Sequence, residues 1–155
     1  MPIPDGSAWT ILLVEDEHAV RTFVLALLQK CGYNVISAVD GIDALEKAKA
    51  HNGTIDLLLS DVEMPHMTGV ELATQFSKER PRTSILLMSG LPSGMILLNE
   101  GWQFLPKPFM ARMLNTRIRH ILTGRRSDLS EDNSTASGEA PVALDGDKPP
   151  RRRLT

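Results

Sequence analysis

Four short apolar runs, Ile11-Leu12-Leu13-Val14, Leu57-Leu58-Leu59, Ile85-Leu86-Leu87-Met88 and Phe104-Leu105, punctuate the chain, and longer amphipathic stretches lie between them. Their continuous apolar character, without alternation, is what a strand buried on both faces requires. With a weaker run near Val35 they predict strands over 10–14, 34–37, 55–60, 84–88 and 102–105. Between them, apolar residues recur at helical spacing. A first helix over 17–31 carries Val20, Phe23, Val24, Leu27 and Leu28 with Cys31 behind them, and stops at Gly32, a residue suited to the left-handed position after a helix. A second begins after Asp40-Gly41, buries Ile42, Leu45 and Ala48, and ends near Asn52-Gly53. A third opens at Thr68 with Glu71 three residues on, a capping box, and buries Leu72, Ala73 and Phe76 before Pro81. The last, over 109–122, presents Met110, Met113, Leu114, Ile118, Ile121 and Leu122 as a core stripe. Strands alternating with helices predict an α/β fold, a parallel sheet covered on both faces.

The pattern weakens between Gly90 and Gly101, where Met95-Ile96-Leu97-Leu98 allows a helix of only one or two turns. From Gly124 onward it fails altogether: Ser, Asp, Glu, Gly, Pro and Arg dominate, and such a segment buries too little apolar surface to offset the entropy of ordering. The reading is an N-terminal extension over 1–8, one domain over 9–123 and a disordered tail over 124–155. The formal charge of −2 over 155 residues gives no global field that would attract nucleic acid or an anionic membrane. No apolar run reaches the roughly 18–20 residues of a membrane span and no signal-peptide pattern is seen, so the expected location is cytoplasmic. A single cysteine, Cys31, excludes an internal disulfide and is expected to be a small buried hydrophobe. The four histidines lack metal-ligand spacing.

Polar residues end the predicted strands in a fixed order: Glu15 and Asp16, then Asp61, then Ser89, then Lys107. In an open parallel sheet the carboxyl ends of the strands share one edge, so these residues converge on one crevice. Three crowded carboxylates repel unless a cation relieves them, and magnesium is a hard ion that accepts a few carboxylates while keeping positions for water and phosphate oxygens. With a hydroxyl and an ammonium added, the set reads as a divalent-metal and phosphoryl-transfer site. A capping role explains any one of these acids alone but not the whole constellation.

Four motifs, Leu12-Leu13-Val14-Glu15-Asp16-Glu17, Asp61-Val62-Glu63-Met64-Pro65-His66-Met67-Thr68-Gly69-Val70-Glu71-Leu72, Met88-Ser89-Gly90 and Lys107-Pro108-Phe109, resemble those of the receiver domain of bacterial two-component response regulators. The resemblance implies a flavodoxin-like, doubly wound sheet of five parallel strands in the order 2-1-3-4-5, with a short fourth helix. It implies that Asp61 accepts a phosphoryl group from a phosphohistidine on a sensor histidine kinase or phosphotransfer protein, in a reaction that needs Mg2+. Asp16 would hold the ion directly, Glu15 directly or through water, Asp61 as a further ligand and Glu63 through its backbone carbonyl. Lys107 would pair with Asp61 at rest and with a phosphoryl oxygen afterwards. Ser89 would donate its hydroxyl to another such oxygen, and Phe104 would turn inward as the second half of a switch. A cis Lys107-Pro108 bond belongs to the same pattern.

The stretch from Ser89 to Lys107 is shorter than in the typical member, which makes dimerisation through the fourth helix doubtful. Leu91, two residues beyond Ser89, is apolar and would not steer an attacking water, so slow self-dephosphorylation is expected. The favoured reading is a stand-alone receiver, not a conventional enzyme, that switches a binding surface on an unidentified downstream protein or relays phosphate, without contacting DNA or membrane. The alternatives are a receiver-like binding module that works without phosphorylation, and a magnesium-dependent phosphatase of the haloacid dehalogenase type. The latter requires D-x-D-x-T/V, against Asp61-Val62-Glu63-Met64-Pro65 here.

Overall fold

A computed structural model describes residues 8–90 and 101–135. Its elements are, in chain order, β1 Thr10–Val14, α1 His18–Lys30, β2 Asn34–Ala38, α2 Gly41–Ala50, β3 Leu57–Asp61, α3 Gly69–Glu79, β4 Ser84–Ser89, β5 Gln103–Pro106 and α4 Ala111–Thr135. The strands form one parallel sheet in the order β2-β1-β3-β4-β5, the expected doubly wound arrangement. The winding reverses between β1 and β3, which are hydrogen-bonded neighbours with Val14 opposite Ser60. That register sets Glu15 and Asp61 side by side.

Alternate residues of each strand feed two cores. Ile11, Leu13, Leu57, Leu59, Leu86, Met88 and Leu105 meet α1 and α4 on one face, through Val24, Leu28, Leu114, Ile118 and Leu122. Leu12, Val14, Leu58, Ile85 and Leu87 meet α2 and α3 on the other, through Ala44, Ala48, Leu72, Ala73 and Phe76. This division explains the unbroken apolar runs: every position of a central strand is inside.

The helices bury narrower stripes than their composition suggests. On α1 the inward positions are Val24 and Leu28, while Phe23, one residue round the helix, is 56% exposed and Cys31 only half-buried. On α2 the small residues Gly41, Ala44 and Ala48 face the sheet and Ile42 is exposed, because small side chains let the helix approach closely. Met110 and Met113 lie outside the α4 stripe. These corrections share a cause: a helix on a sheet contacts it along one line, and apolar residues beside that line stay in water.

The caps follow the sequence. The Thr68 hydroxyl accepts from the Glu71 amide at 3.2 Å and the Glu71 carboxylate from the Thr68 amide at 3.1 Å. Asp40 accepts from the Asp43 amide at 2.8 Å, and Gly32 takes a φ of 93° after α1. The last helix, expected to end at Leu122, continues as α4 to Thr135. Residues 123–135 contain no proline, and extending an established helix requires only one new hydrogen bond per residue, with no second nucleation. Arg125 also ties the extension to the residue before β3, donating to the Asp56 carbonyl at 3.1 Å. The rest of the expected tail, the expected short fourth helix with Leu91, and all but Ala8 of the N-terminal extension lie outside the described residues. Among the described residues no helix is long and apolar enough to cross a membrane.

Two glycines make opposite predictions. A Cβ at Gly69 would lie 2.1 Å from the Asp61 carbonyl oxygen, a backbone atom that cannot swing aside. Gly69→Ala is therefore expected to lower stability by about 1–3 kcal/mol in urea unfolding. Gly124, inside α4, has nothing within 4 Å of an added Cβ, so Gly124→Ala should raise stability by about 0.5–1 kcal/mol.

Candidate functional site

The carboxyl ends of β1, β3, β4 and β5 deliver the polar residues to one place. Glu15 follows β1 and is 1% exposed, Asp61 ends β3 at 4%, and Ser89 ends β4 at 1%. Carboxylate oxygens of Glu15, Asp16 and Asp61 all lie within 4.8 Å of one another, a group that could hold a metal ion. Asp16 is the exposed member and leaves the group open to solvent.

Lys107 joins them from just beyond β5. Its ammonium is 3.2 Å from Glu15 Oε2 and 3.3 Å from Asp61 Oδ2, bridging two carboxylates where the sequence suggested one. The Lys107-Pro108 bond is cis, and the Lys107 amide donates to the Ser89 carbonyl at 2.8 Å. Glu15 is held at four points: its amide donates to the Ala38 carbonyl at 3.2 Å, Oε1 accepts from the Glu17 amide at 3.2 Å, Oε2 from Lys107, and its carbonyl from Arg21 at 2.8 Å. Asp61 Oδ1, by contrast, is buried without a hydrogen-bond partner among the described residues. Buried carboxylate oxygens are rarely left so, and an orphan oxygen on a residue grouped with two further acids suits a hard cation.

The electrostatics agree. Burial is the largest influence on Glu15, and with repulsion from Asp61 it raises the pKa despite Lys107. Burial also raises that of Asp61 against the pull of Lys107, with Glu63 and Asp16 adding to the rise. For Lys107 burial works downward but is outweighed by Asp61 and Glu15, and its pKa rises. One ammonium thus falls short of neutralising the cluster.

Two expected participants behave differently from the rest. Phe104 is half-buried, packed with Trp102 against the α2–α3 core. Glu63, expected to contribute its carbonyl, also engages its side chain: the carboxylate accepts a hydrogen bond from the Ser89 hydroxyl. The available signal was its spacing, since a residue two beyond Asp61 in extended chain points to the same side. Arg21 was missed outright, because its contact with the Glu15 carbonyl depends on how α1 leaves the loop. The loop after β3 is tight: His66 has a φ of 70° and the Met67 amide bonds the Pro65 carbonyl at 2.8 Å, a γ-turn.

Comparison with known proteins gives one consistent result. The family model "Response regulator receiver domain" matches residues 11–119. The chain is 39% identical over 121 residues to the sensor kinase CckA of Brucella abortus, covering 76% of this chain and 13% of that protein. It is 33% identical over 128 residues to the alkaline phosphatase synthesis transcriptional regulatory protein PhoP of Bacillus subtilis, covering 80% and 52%. The chain thus spans about half or less of these relatives. Among solved structures, the receiver domain of the hybrid histidine kinase CckA matches at 39% identity and a TM-score of 0.64, over 73% of this chain and 98% of that one. A CheY-like receiver domain protein of Methanospirillum hungatei JF-1 matches at 29% and 0.72, over 79% and 99%.

Two predictions follow from the charge balance. A divalent cation at 100 times its dissociation constant should stabilise the native chain by about 2.7 kcal/mol in thermal unfolding, and Asp16→Asn should remove most of that gain. Without metal, the raised carboxyl pKa values of Glu15 and Asp61 mean that the folded state holds protons more tightly than the unfolded state. Their contribution to stability is full below the ordinary carboxyl range and lost as pH rises through the folded values. Metal-free Asp61→Asn should show a shallower loss of melting temperature over that rise.

Proposed function

This chain belongs to the response regulator receiver domain family, a signalling domain of two-component systems, and we propose that Asp61 is its phosphoacceptor. The donor is a phosphohistidine of a sensor kinase or phosphotransfer protein. The observation that carries the proposal is the buried, half-satisfied Asp61 carboxylate, with one oxygen beside Lys107 and the other without a partner in a three-carboxylate group.

In the transfer, an Asp61 oxygen forms a bond to phosphorus as the phosphorus–nitrogen bond of the donor breaks, and the donor ring, carrying a proton on its other nitrogen, leaves with the bonding pair as neutral imidazole. Asp61 attacks as a carboxylate and needs no general base. Charge in the transition state spreads over three equatorial oxygens, so catalysis consists of positioning and electrostatic stabilisation. Lys107 supplies one fixed positive charge. Ser89 supplies a hydroxyl at the end of the neighbouring strand. The residues suit Mg2+: Asp16, Glu15 and Asp61 would hold it with the Glu63 carbonyl, and the ion would offset phosphoryl charge.

The product carries about −1.5 to −2 charge and three strong acceptors, which compete for the Ser89 hydroxyl. Phe104 lies opposite Leu87 across the β4–β5 pair, two residues before Ser89. Displacement of Ser89 opens space for that ring to turn further in. The altered surface, or the phosphoryl group itself, is then passed to another protein. The receiver domain of a hybrid kinase among the similar structures supports this role in phosphate transfer.

Incubation with acetyl phosphate and magnesium should add one phosphoryl group to the native chain by intact mass, and none to Asp61→Asn or after chelation with EDTA. Lys107→Ala should slow labelling by about 10- to 100-fold, the scale of a lost charge-assisted hydrogen bond. Labelling of Asp61→Asn to the native extent would refute the assignment.

A further inference from the structure

The Ser89 hydroxyl is already engaged. Its oxygen sits at the end of β4, buried, and its one proton goes to Glu63 in the loop after β3, a contact spanning 26 positions in sequence. A serine hydroxyl donates a single hydrogen bond, and an ionised carboxylate only accepts. The proton therefore cannot serve Glu63 and a phosphoryl oxygen on Asp61 at once.

The backbone on both sides of the contact is fixed. The Ser89 carbonyl accepts from the Lys107 amide at 2.8 Å, and the Val62 amide donates to the Met88 carbonyl at 2.9 Å, stitching the residue before Glu63 to the residue before Ser89. The Val62 carbonyl in turn accepts from the Gly69 amide at 2.9 Å, which pins the loop to the start of α3. With main chains held this way, exchange of the hydroxyl between acceptors falls to side-chain rotation. Glu63 is itself exposed, so a carboxylate released from Ser89 returns to water and leaves no buried charge unpaired.

We propose that the Glu63 side chain is a resting-state clamp on Ser89, a positioning residue that withholds the hydroxyl from Asp61 until a phosphoryl group outcompetes it. The proposal rests on Asp61 being the phosphoacceptor. It assigns Glu63 a side-chain role separate from its carbonyl. The clamp opposes phosphorylation by one charge-assisted hydrogen bond, and its release lets the loop after β3 report the change at β4.

Three substitutions separate the clamp from the plain effect of a negative charge beside Asp61. Glu63→Gln removes the charge but keeps an acceptor, Glu63→Ala removes both, and Ser89→Ala removes the donor. With Ser89 present, labelling by acetyl phosphate and magnesium should be about three- to tenfold faster in Glu63→Ala than in Glu63→Gln. With Ser89→Ala, the two Glu63 variants should label equally. Equal rates in the presence of Ser89, or an undiminished difference without it, would overturn the clamp. In the unphosphorylated chain, the Ser89 Cβ and amide resonances should move in Glu63→Ala by NMR and largely stay in Glu63→Gln. Unmoved resonances in Glu63→Ala overturn the clamp irrespective of phosphorylation. A native chain that takes no label overturns the phosphoacceptor reading instead, and the resonances still decide whether the contact exists.

Discussion

An ammonium wedged between two buried carboxylates is the contact on which this molecule's crevice depends. Lys107 reaches Glu15 and Asp61 at 3.2 and 3.3 Å, and those two acids come from strands that neighbour each other only because the sheet reverses its winding between them. Removed from water, each carboxylate is disfavoured in its charged form, and the lysine reduces the penalty without cancelling it. Formally, two anions and one cation leave a negative charge before Asp16 is added. That residual charge makes the cluster attractive to a cation, and the cation in turn would make it hospitable to a phosphate.

The fold exists to hold this imbalance in place. Lys107 enters from beyond β5, and to reach Asp61 at the end of β3 it must pass the end of β4, where Ser89 lies. The three groups that would surround a transferred phosphate are thus stacked in strand order across one edge. Beneath them, the two apolar layers leave the strands no freedom to slide, because every central position is packed on one face or the other. Above them, Gly69 lets the start of α3 approach the Asp61 carbonyl closely, and the loop between is compressed into a γ-turn.

Much of this was legible in the residues. The strand runs, the Thr68–Glu71 capping box, the stop at Gly32 and the convergence of Glu15, Asp16, Asp61, Ser89 and Lys107 all follow from local pattern and the geometry of a parallel sheet. Less legible was the choice between adjacent apolar residues on a helix. Phe23, Ile42 and Met113 look like core by hydrophobicity, yet the line of contact passes through Val24, Ala44 and Leu114. The extension of α4 to Thr135 was also hidden, since a polar composition resembles disorder when the helix that feeds into it is not seen.

Sequence alone determined the parts of the site and the edge on which they gather, because strand-end position depends on chain-local patterning that short windows reveal. Tertiary structure alone decided their partners. Lys107 divides itself between Glu15 and Asp61, Glu63 turns its carboxylate to Ser89, and one oxygen of Asp61 is left without a hydrogen-bond partner among the described residues. Such pairings are settled over distances of a few ångströms by loops whose paths depend on how α1 and α3 pack. No spacing along the chain encodes which of two nearby acceptors a single proton will choose.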